Sequence, residues 1–220
     1  MSEKECSLLS KKIIPLNIQL NATQWPAYAK RMDDKAFKET KKQVHQRDSF
    51  SCCYCEFQST HAMDVINLDG NYKNNNLSNL ATACPLCAQC LFLHMVGKAE
   101  IGGGKLIYLP NMTQNQLNAL CHVLFSAIVN GTNYTQDAQN TLNQLRLRSN
   151  KVDATLGKGM SEPAMLGQML LDTPIKNAVA IQNATLKDLR ILPSKNKFES
   201  LIGQWSREAL RANAGSKEQI

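Results

Sequence analysis

The sequence predicts an α+β protein in which a small cysteine-rich core carries additional helices in the C-terminal half. Two Cys-x-x-Cys pairs, Cys52 with Cys55 and Cys84 with Cys87, let one tight turn direct two sulfurs at the same metal ion. Short strand-like segments accompany these pairs, and helix-like apolar periodicity dominates after residue 112. Four thiolates match the tetrahedral shell of one structural zinc ion and leave no position for an activated water.

The N-terminal part, residues 1–43, is predicted to contain a strand and the start of a helix. Apolar residues alternate with polar ones in the second half of 13–20, and Pro15 confines this strand to the edge or start of a sheet. A helix is expected over 33–47, because its aspartates precede its basic residues, the order that the helix dipole favours.

The predicted zinc-binding core spans residues 44–110. A short strand is expected around 63–68, and 77–94 is expected to be helical in part, which places the second cysteine pair near a helix. The glycines at 102–104 lack the pattern of a phosphate-binding loop and predict a turn before a strand at 105–109.

The C-terminal part, residues 111–213, is predicted to be helical, and 214–220 to be a flexible tail. Thr113 can cap a helix whose apolar period runs through residue 129. Further helices are expected at 134–148, 161–171 and 198–212.

Composition argues against a membrane span and against a nucleic-acid surface at the core. The longest apolar stretch, 117–129, is interrupted by polar residues, and the first residues lack the pattern of a secretory signal. We therefore expect a cytoplasmic location, where the eight cysteines would stay reduced. The net charge of +7 lies in the flanks, since residues 49–130 carry three basic and four acidic side chains.

The residues around the cysteines resemble zinc-bearing HNH nucleases over about 44–95. Arg47-Asp48 precedes the first pair as in the Arg-Asp-x-x-x-Cys-x-x-Cys opening of that family, and Asn79-Leu80 precedes the second as in its Asn-Leu-x-x-x-Cys-x-x-Cys close. The resemblance implies an HNH-like ββα unit between two zinc knuckles.

The same frame lacks the catalytic histidine of those nucleases. The family's Asp-His step falls on Asp64-Val65, and valine can neither accept a proton nor bind a metal. Ala88 stands where the family often has asparagine or histidine. His61 and His94 lie nearby in sequence, but a lone histidine beside a knuckle is more often packed or solvated. We predict no catalytic residue and no enzyme activity.

The choice of ligands leaves one alternative open. Both Cys84 with Cys87 and Cys87 with Cys90 have the x-x spacing, and the family frame favours the first pair, giving Cys52, Cys55, Cys84 and Cys87. Cys6 and Cys121 have no partner at ligand spacing. Cys53 and Cys90 leave a redox switch as a further possibility, because thiol pKa values are not visible in a sequence.

Over nearly its whole length the chain resembles a subunit of the type IV coupling complex of Dot/Icm type IVB secretion systems. The stretch from Gly102 to Pro110 and the helix start at 113–116 carry this resemblance. It implies an adaptor that binds the C-terminal extension of the coupling ATPase DotL and joins other coupling-complex subunits for effector translocation. It also implies a peripheral position at the cytoplasmic face of the inner membrane, reached only through partners. The alternative is an HNH-type nuclease or a nucleic-acid-binding protein.

A partner surface is predicted on the helix at 161–171. Ser161 can cap this helix, and its apolar residues, including Met165 and Met169, populate more than one face. Methionine side chains adapt to irregular surfaces, so this helix is our candidate for accepting a helical segment of the ATPase, with internal packing as the alternative.

Overall fold

The computed structural model describes residues 13–32, 34–98, 101–173 and 184–215, the last four without their side chains. Its helices are α1 (Trp25–Met32), α2 (Lys35–Arg47), α3 (Pro85–Ala88), α4 (Gln114–Val129), α5 (Thr135–Leu147), α6 (Ser149–Leu156), α7 (Pro163–Asp172) and α8 (Glu199–Gly215). The strands β1 (Asp64–Asn67) and β2 (Leu80–Ala83) form one antiparallel pair, and β3 (Gly104–Tyr108) and β4 (Leu189–Pro193) form another. The α+β class is therefore confirmed. The predicted tail at 214–220 lies outside the described residues except for its first two, which continue α8.

Helix α2 packs one apolar face against the first strand pair. Asp34 caps the helix by accepting a hydrogen bond from the Ala36 N–H at 2.8 Å, one of the amide groups left unpaired at a helix start. Phe37 and Val44 then meet Val65 of β1 in a small buried cluster. The predicted helix is confirmed, and its first turn begins two residues later than expected.

The hairpin β1–β2 leads directly into α3, which positions the second cysteine pair. Val65 pairs with Thr82, and the loop between the strands is closed by Asn79, whose side chain accepts from the Asp69 N–H and donates to the Asp69 carboxylate. The order of strand, strand and helix is the one that the HNH resemblance implies. The likeness of this core to the nucleases stays a prediction.

The second strand pair, β3 and β4, lies in the helical part of the chain. A glutamine side chain from α4 forms hydrogen bonds with its outer edge. Thr113 and Gln116 form a capping box at the start of α4, as the predicted cap required. Gln114, the first residue of α4, accepts from the Ile191 N–H at 2.8 Å and donates to the Ile191 carbonyl at 2.9 Å. Its amide thus pairs with both backbone groups of Ile191, on the edge of β4 that no further strand of the described chain covers.

Residues 13–20 do not form the predicted strand. They run extended, but their backbone hydrogen bonds go to separate segments: the Ile14 N–H donates to the Cys53 carbonyl and the Gln19 N–H to the Cys90 carbonyl. A strand needs one continuous partner, and this segment crosses several elements instead. The apolar alternation nevertheless predicts burial correctly, since Leu16 and Ile18 are in the core.

The start of α7 also differs from the prediction. Ser161 does not cap the helix: its hydroxyl donates to the Asp153 carboxylate at 2.9 Å, and Glu162 occupies the N-cap position before Pro163. The helix lies unusually close to residues 93–95. A Cβ added at Gly167 would lie 2.6 Å from the His94 Cα, so only glycine permits this approach.

Candidate metal centre

Four sulfurs from two separate segments meet at one point. The Sγ atoms of Cys52, Cys55, Cys84 and Cys87 all lie within 4.8 Å of one another. Cys55 is partly exposed and the other three are buried. The first pair lies in the loop before β1 and the second lies in the first turn of α3, so the hairpin places the two segments against each other.

Backbone hydrogen bonds fix the direction of each pair. In the first loop the Cys52 N–H donates to the Phe57 carbonyl at 2.8 Å and the Glu56 N–H to the Cys52 carbonyl at 3.0 Å. Cys84 is the N-cap of α3, and the Cys87 N–H donates to its carbonyl at 2.9 Å. A turn and a helix start thus each present two sulfurs on one side.

Hydrogen bonds within the cluster favour ionisation of one thiol over the others. Burial disfavours ionisation of Cys52, but hydrogen bonds from the other three thiols outweigh it and hold the pKa of Cys52 well below its usual range. Burial raises the pKa values of Cys84 and Cys87. Four adjacent thiolates repel one another, so a bound cation is needed to keep all of them ionised.

The distances between the sulfurs suit one four-coordinate metal ion. Tetrahedral coordination at about 2.3 Å per sulfur separates the sulfurs by about 3.8 Å, and the Sγ atoms of Cys55 and Cys84 are 3.6 Å apart. The four cysteines could therefore hold one metal ion. The alternative ligand Cys90 is outside the cluster, and its thiol donates to the Leu86 carbonyl at 3.4 Å.

The remaining described cysteines lack the properties of reactive thiols. Burial raises the pKa values of Cys90 and Cys121 to about 12, and burial together with neighbouring charge raises that of Cys53 still further. A thiol with a raised pKa is a poor nucleophile at neutral pH. These values disfavour the redox switch considered from the sequence. Cys6 lies outside the described residues.

Helix α4 supplies two polar side chains to the cluster that sequence reasoning missed. The Asn118 amide donates to the Cys87 sulfur at 3.2 Å and to the Leu86 carbonyl at 3.1 Å. His122 Nε2 lies 3.3 Å from the Cys84 sulfur. Burial lowers the pKa of His122 to about 4, so its ring is neutral at pH 7 and can donate an N–H to a thiolate. Such donors orient metal ligands and offset their charge.

An aromatic stack joins the cluster to the C-terminal helix. The Phe57 and His122 rings are stacked 3.7 Å apart, and Trp205 of α8 meets Phe57 edge-on. The Trp205 indole N–H donates to the His61 carbonyl at 3.1 Å, and Glu208 accepts from the Thr60 N–H at 2.7 Å. The first knuckle therefore contacts α8 through both apolar and polar groups.

The Asp-His step of the nucleases falls on Asp64 and Val65, and neither is a histidine. Val65 is 3% exposed and faces the α2 cluster, while Asp64 lies 3.8 Å from the Lys41 ammonium. A histidine that the sequence analysis did not consider, His45 of α2, contacts the hairpin. His45 bonds Thr82, the partner of Val65 across the hairpin, and is held neutral by burial, with a pKa of about 4.

The two histidines proposed as substitutes lie elsewhere. His61 is exposed and lies 3.4 Å from the Glu208 carboxylate. His94 is buried at the contact with α7, where Gly167 approaches its backbone. Neither stands beside Asp64 as a general base would.

Fold and site together define an α+β protein built around a four-cysteine centre that could hold a metal ion. No protein-family profile matches the chain. It is 46% identical over 186 residues to the type 4 apparatus protein DotN of Legionella pneumophila subsp. pneumophila (strain Philadelphia 1), an alignment that covers 84% of this chain and 86% of DotN. The chain therefore belongs to the DotN family.

Proposed function

We propose that this protein is a non-enzymatic, zinc-bound adaptor of a type IV coupling complex. In this role it binds the C-terminal extension of the coupling ATPase DotL, joins other coupling-complex subunits and supports effector recruitment for secretion. The similarity to DotN, a type 4 apparatus protein by name, supports the secretion-system role. The observation that carries the adaptor role is an exposed apolar surface on α7.

Zinc is the proposed ion because the donor set consists of four cysteine sulfurs. Thiolates select soft or borderline ions, and a closed four-sulfur shell is typical of structural zinc. Cys52 and Cys55 would bind it from the first knuckle, and Cys84 and Cys87 from the start of α3. Zinc would neutralise the thiolates and hold the two segments together; the chain's own Asn118 would orient one of them.

The apolar surface on α7 is divided into a packed side and a free side. Leu166 and Leu170 are fully buried against the core, whereas Met165 is 50%, Met169 36% and Leu171 38% exposed. Met165 and Met169 are one turn apart and form an exposed apolar strip, whereas Leu171 lies on the other flank of the buried residues. An exposed apolar strip on a helix is typical of partner sites, and methionine adapts to an incoming helix. Internal packing explains why Leu166 and Leu170 are apolar. It does not explain the exposed Met165 and Met169.

Substituting both methionines tests this surface. We expect Met165→Glu/Met169→Glu to lower the affinity for the purified C-terminal extension of DotL by about a hundredfold, because two charges would be buried in an apolar contact. Binding is measured by calorimetry or pull-down, with circular dichroism and zinc content on the same samples.

The matched control is Leu147→Glu, which places a charge at an apolar side chain on α5 that is 66% exposed. It should leave the affinity unchanged. If the double variant binds as well as the wild type while remaining folded, the ATPase segment binds elsewhere. If the double variant unfolds, α7 is core and carries no partner surface.

The second candidate, an HNH-type nuclease, is favoured only by the sequence frame around the cysteines. We expect no cleavage of plasmid DNA by the purified protein with Mg²⁺, Mn²⁺ or Ni²⁺, because general-base catalysis is worth about 10²–10⁴-fold and Val65 supplies no base. The variant Asp64→Ala is the control: cleavage by a contaminating nuclease would persist in this variant, whereas cleavage by the protein itself would be lost. Cleavage that a chelator and Asp64→Ala both remove would contradict the non-enzymatic role.

The proposed location is the cytoplasmic face of the inner membrane, reached through partners. Within the described ranges of the chain, no helix combines the length and hydropathy needed to cross a bilayer. The few basic residues around the metal centre also disfavour a nucleic-acid surface there.

A further inference from the structure

A pocket of about 250 Å³ lies next to the second cysteine pair in the chain, since Pro85 and Ala88 line it. It is bounded by α1, the start of β1, α3 with the turn after it, the glycine turn before β3, and the start of α8. Its lining includes Met32, Asp64, Gln89, Phe92, Lys197 and Phe198. The metal-centre cysteines do not line it. Asp64 and Ala88, which the nuclease resemblance assigned to catalysis, do.

One side chain that lines the pocket carries an unsatisfied hydrogen-bond donor. Gln89 is 3% exposed, and its Oε1 accepts from the Gly103 N–H at 3.0 Å, which fixes the orientation of the amide. Its Nε2 has no hydrogen-bond partner among the described residues. A buried amide donor without an acceptor is rare in folded proteins and calls for an explanation such as a ligand.

Lys197 also lines the pocket and is exposed to solvent. A Cβ at Gly102 would lie 2.2 Å from Gln89 Oε1, and one at Gly103 would lie 2.7 Å from Lys197 Cγ. The glycine turn is therefore in contact with the Gln89 amide and with the carbon chain of Lys197. Among the described residues, Lys197 forms no ion pair, whereas Lys195 pairs with Glu199 at 3.8 Å.

The rest of the lining is mostly apolar. Asp64 also lines the pocket, but its carboxylate already lies 3.8 Å from the Lys41 ammonium. Phe92 and Phe198 are buried, and Met32 keeps 49% of its surface exposed. A ligand that fits this lining has an apolar body and a negatively charged oxygen that accepts from the free Gln89 donor.

We propose that this pocket binds a small apolar carboxylate, with the carboxylate accepting from Gln89 and Lys197 and the hydrocarbon against Met32, Phe92 and Phe198. The volume is below the roughly 300–1,000 Å³ of drug-sized sites, so the ligand is small. The inference depends neither on the ion at the cysteines nor on the partner of α7.

The test uses the full-length protein, purified with its metal and labelled with ¹³C at the methionine methyl groups, since the methyl of Met32 reports on the rim. Sodium hexanoate should shift this signal saturably with a Kd of about 1 mM, as expected for a ligand of this size. Hexanamide should bind more weakly, and hexylammonium at least about tenfold more weakly, because an ammonium cannot accept from Gln89, is repelled by Lys197, and finds Asp64 already close to Lys41.

Lys197→Met should weaken hexanoate about five- to tenfold and leave hexanamide unchanged within about twofold. Lys195→Met, a change two residues away at a lysine that does not line the pocket, should alter neither. Gln89→Glu keeps an oxygen for the Gly103 N–H, removes the free donor and should weaken both probes. The proposal is overturned if hexanoate gives no saturable shift of Met32 at about 20 mM, if hexylammonium binds as tightly, or if Lys197→Met behaves like Lys195→Met.

Discussion

Cys84→Ser should remove the metal and unfold the region around the hairpin. Structural zinc in small domains contributes about 10 kcal/mol or more of apparent binding energy, which exceeds the whole stability of many domains. A serine hydroxyl is a poor ligand, and the remaining three thiols would lose their common cation. We expect zinc content to fall from one ion per chain to near zero, with a large loss of Tm, measured by metal analysis and thermal unfolding.

Cys90→Ser is the matched control, because it makes the same atomic change at an equally buried cysteine outside the cluster. Its hydroxyl can still donate to the Leu86 carbonyl, which the Cys90 thiol bonds at 3.4 Å. We expect full zinc content and a small change in Tm. If Cys84→Ser retained zinc and Cys90→Ser lost it, Cys90 rather than Cys84 would be the fourth ligand.

That these four cysteines lie close together was predictable from sequence, but the groups around them were not. The x-x spacing fixes which two sulfurs a turn or a helix start can present together, so local sequence is sufficient there. Asn118 and His122 come from α4, about thirty residues beyond the second pair, and their contacts with sulfur depend on how α4 packs. An amphipathic pattern predicts which face of α4 is buried, not which polar atom it meets.

The fold shows the same division between local and tertiary information. The helix α2 was predicted because a helix forms its backbone hydrogen bonds within its own segment. The strand β3 was predicted because its alternating pattern marks one buried face of a sheet. Residues 13–20 have a strand pattern but find no continuous partner. Strand β4 was missed because Arg190 interrupts a short apolar run, and that arginine is accommodated by donating to the Met112 carbonyl at 2.6 Å.

The close approach of α7 to residues 93–95 makes Gly167 a second point of high sensitivity. In Gly167→Ala the new methyl group would lie 2.6 Å from the His94 Cα and 2.7 Å from its backbone nitrogen. Neither atom can move without shifting the turn that follows α3. We expect a loss of about 1–3 kcal/mol, the usual cost of overpacking, measured as a fall in Tm of about 2–4 °C per kcal/mol for a chain of this size.

Gly203→Ala provides the opposite expectation from the same chemical change. Gly203 also lies within a helix, α8, and its added methyl group would meet only the flexible end of Arg207 at 3.4 Å. Alanine is favoured over glycine in helices by about 1 kcal/mol, so this variant should be slightly more stable than the wild type. Equal effects of the two variants would show that helix propensity, not the contact with His94, governs α7.

If Gly167→Ala destabilises as expected, it should also weaken ATPase binding, because the surface formed by Met165 and Met169 depends on the position of α7.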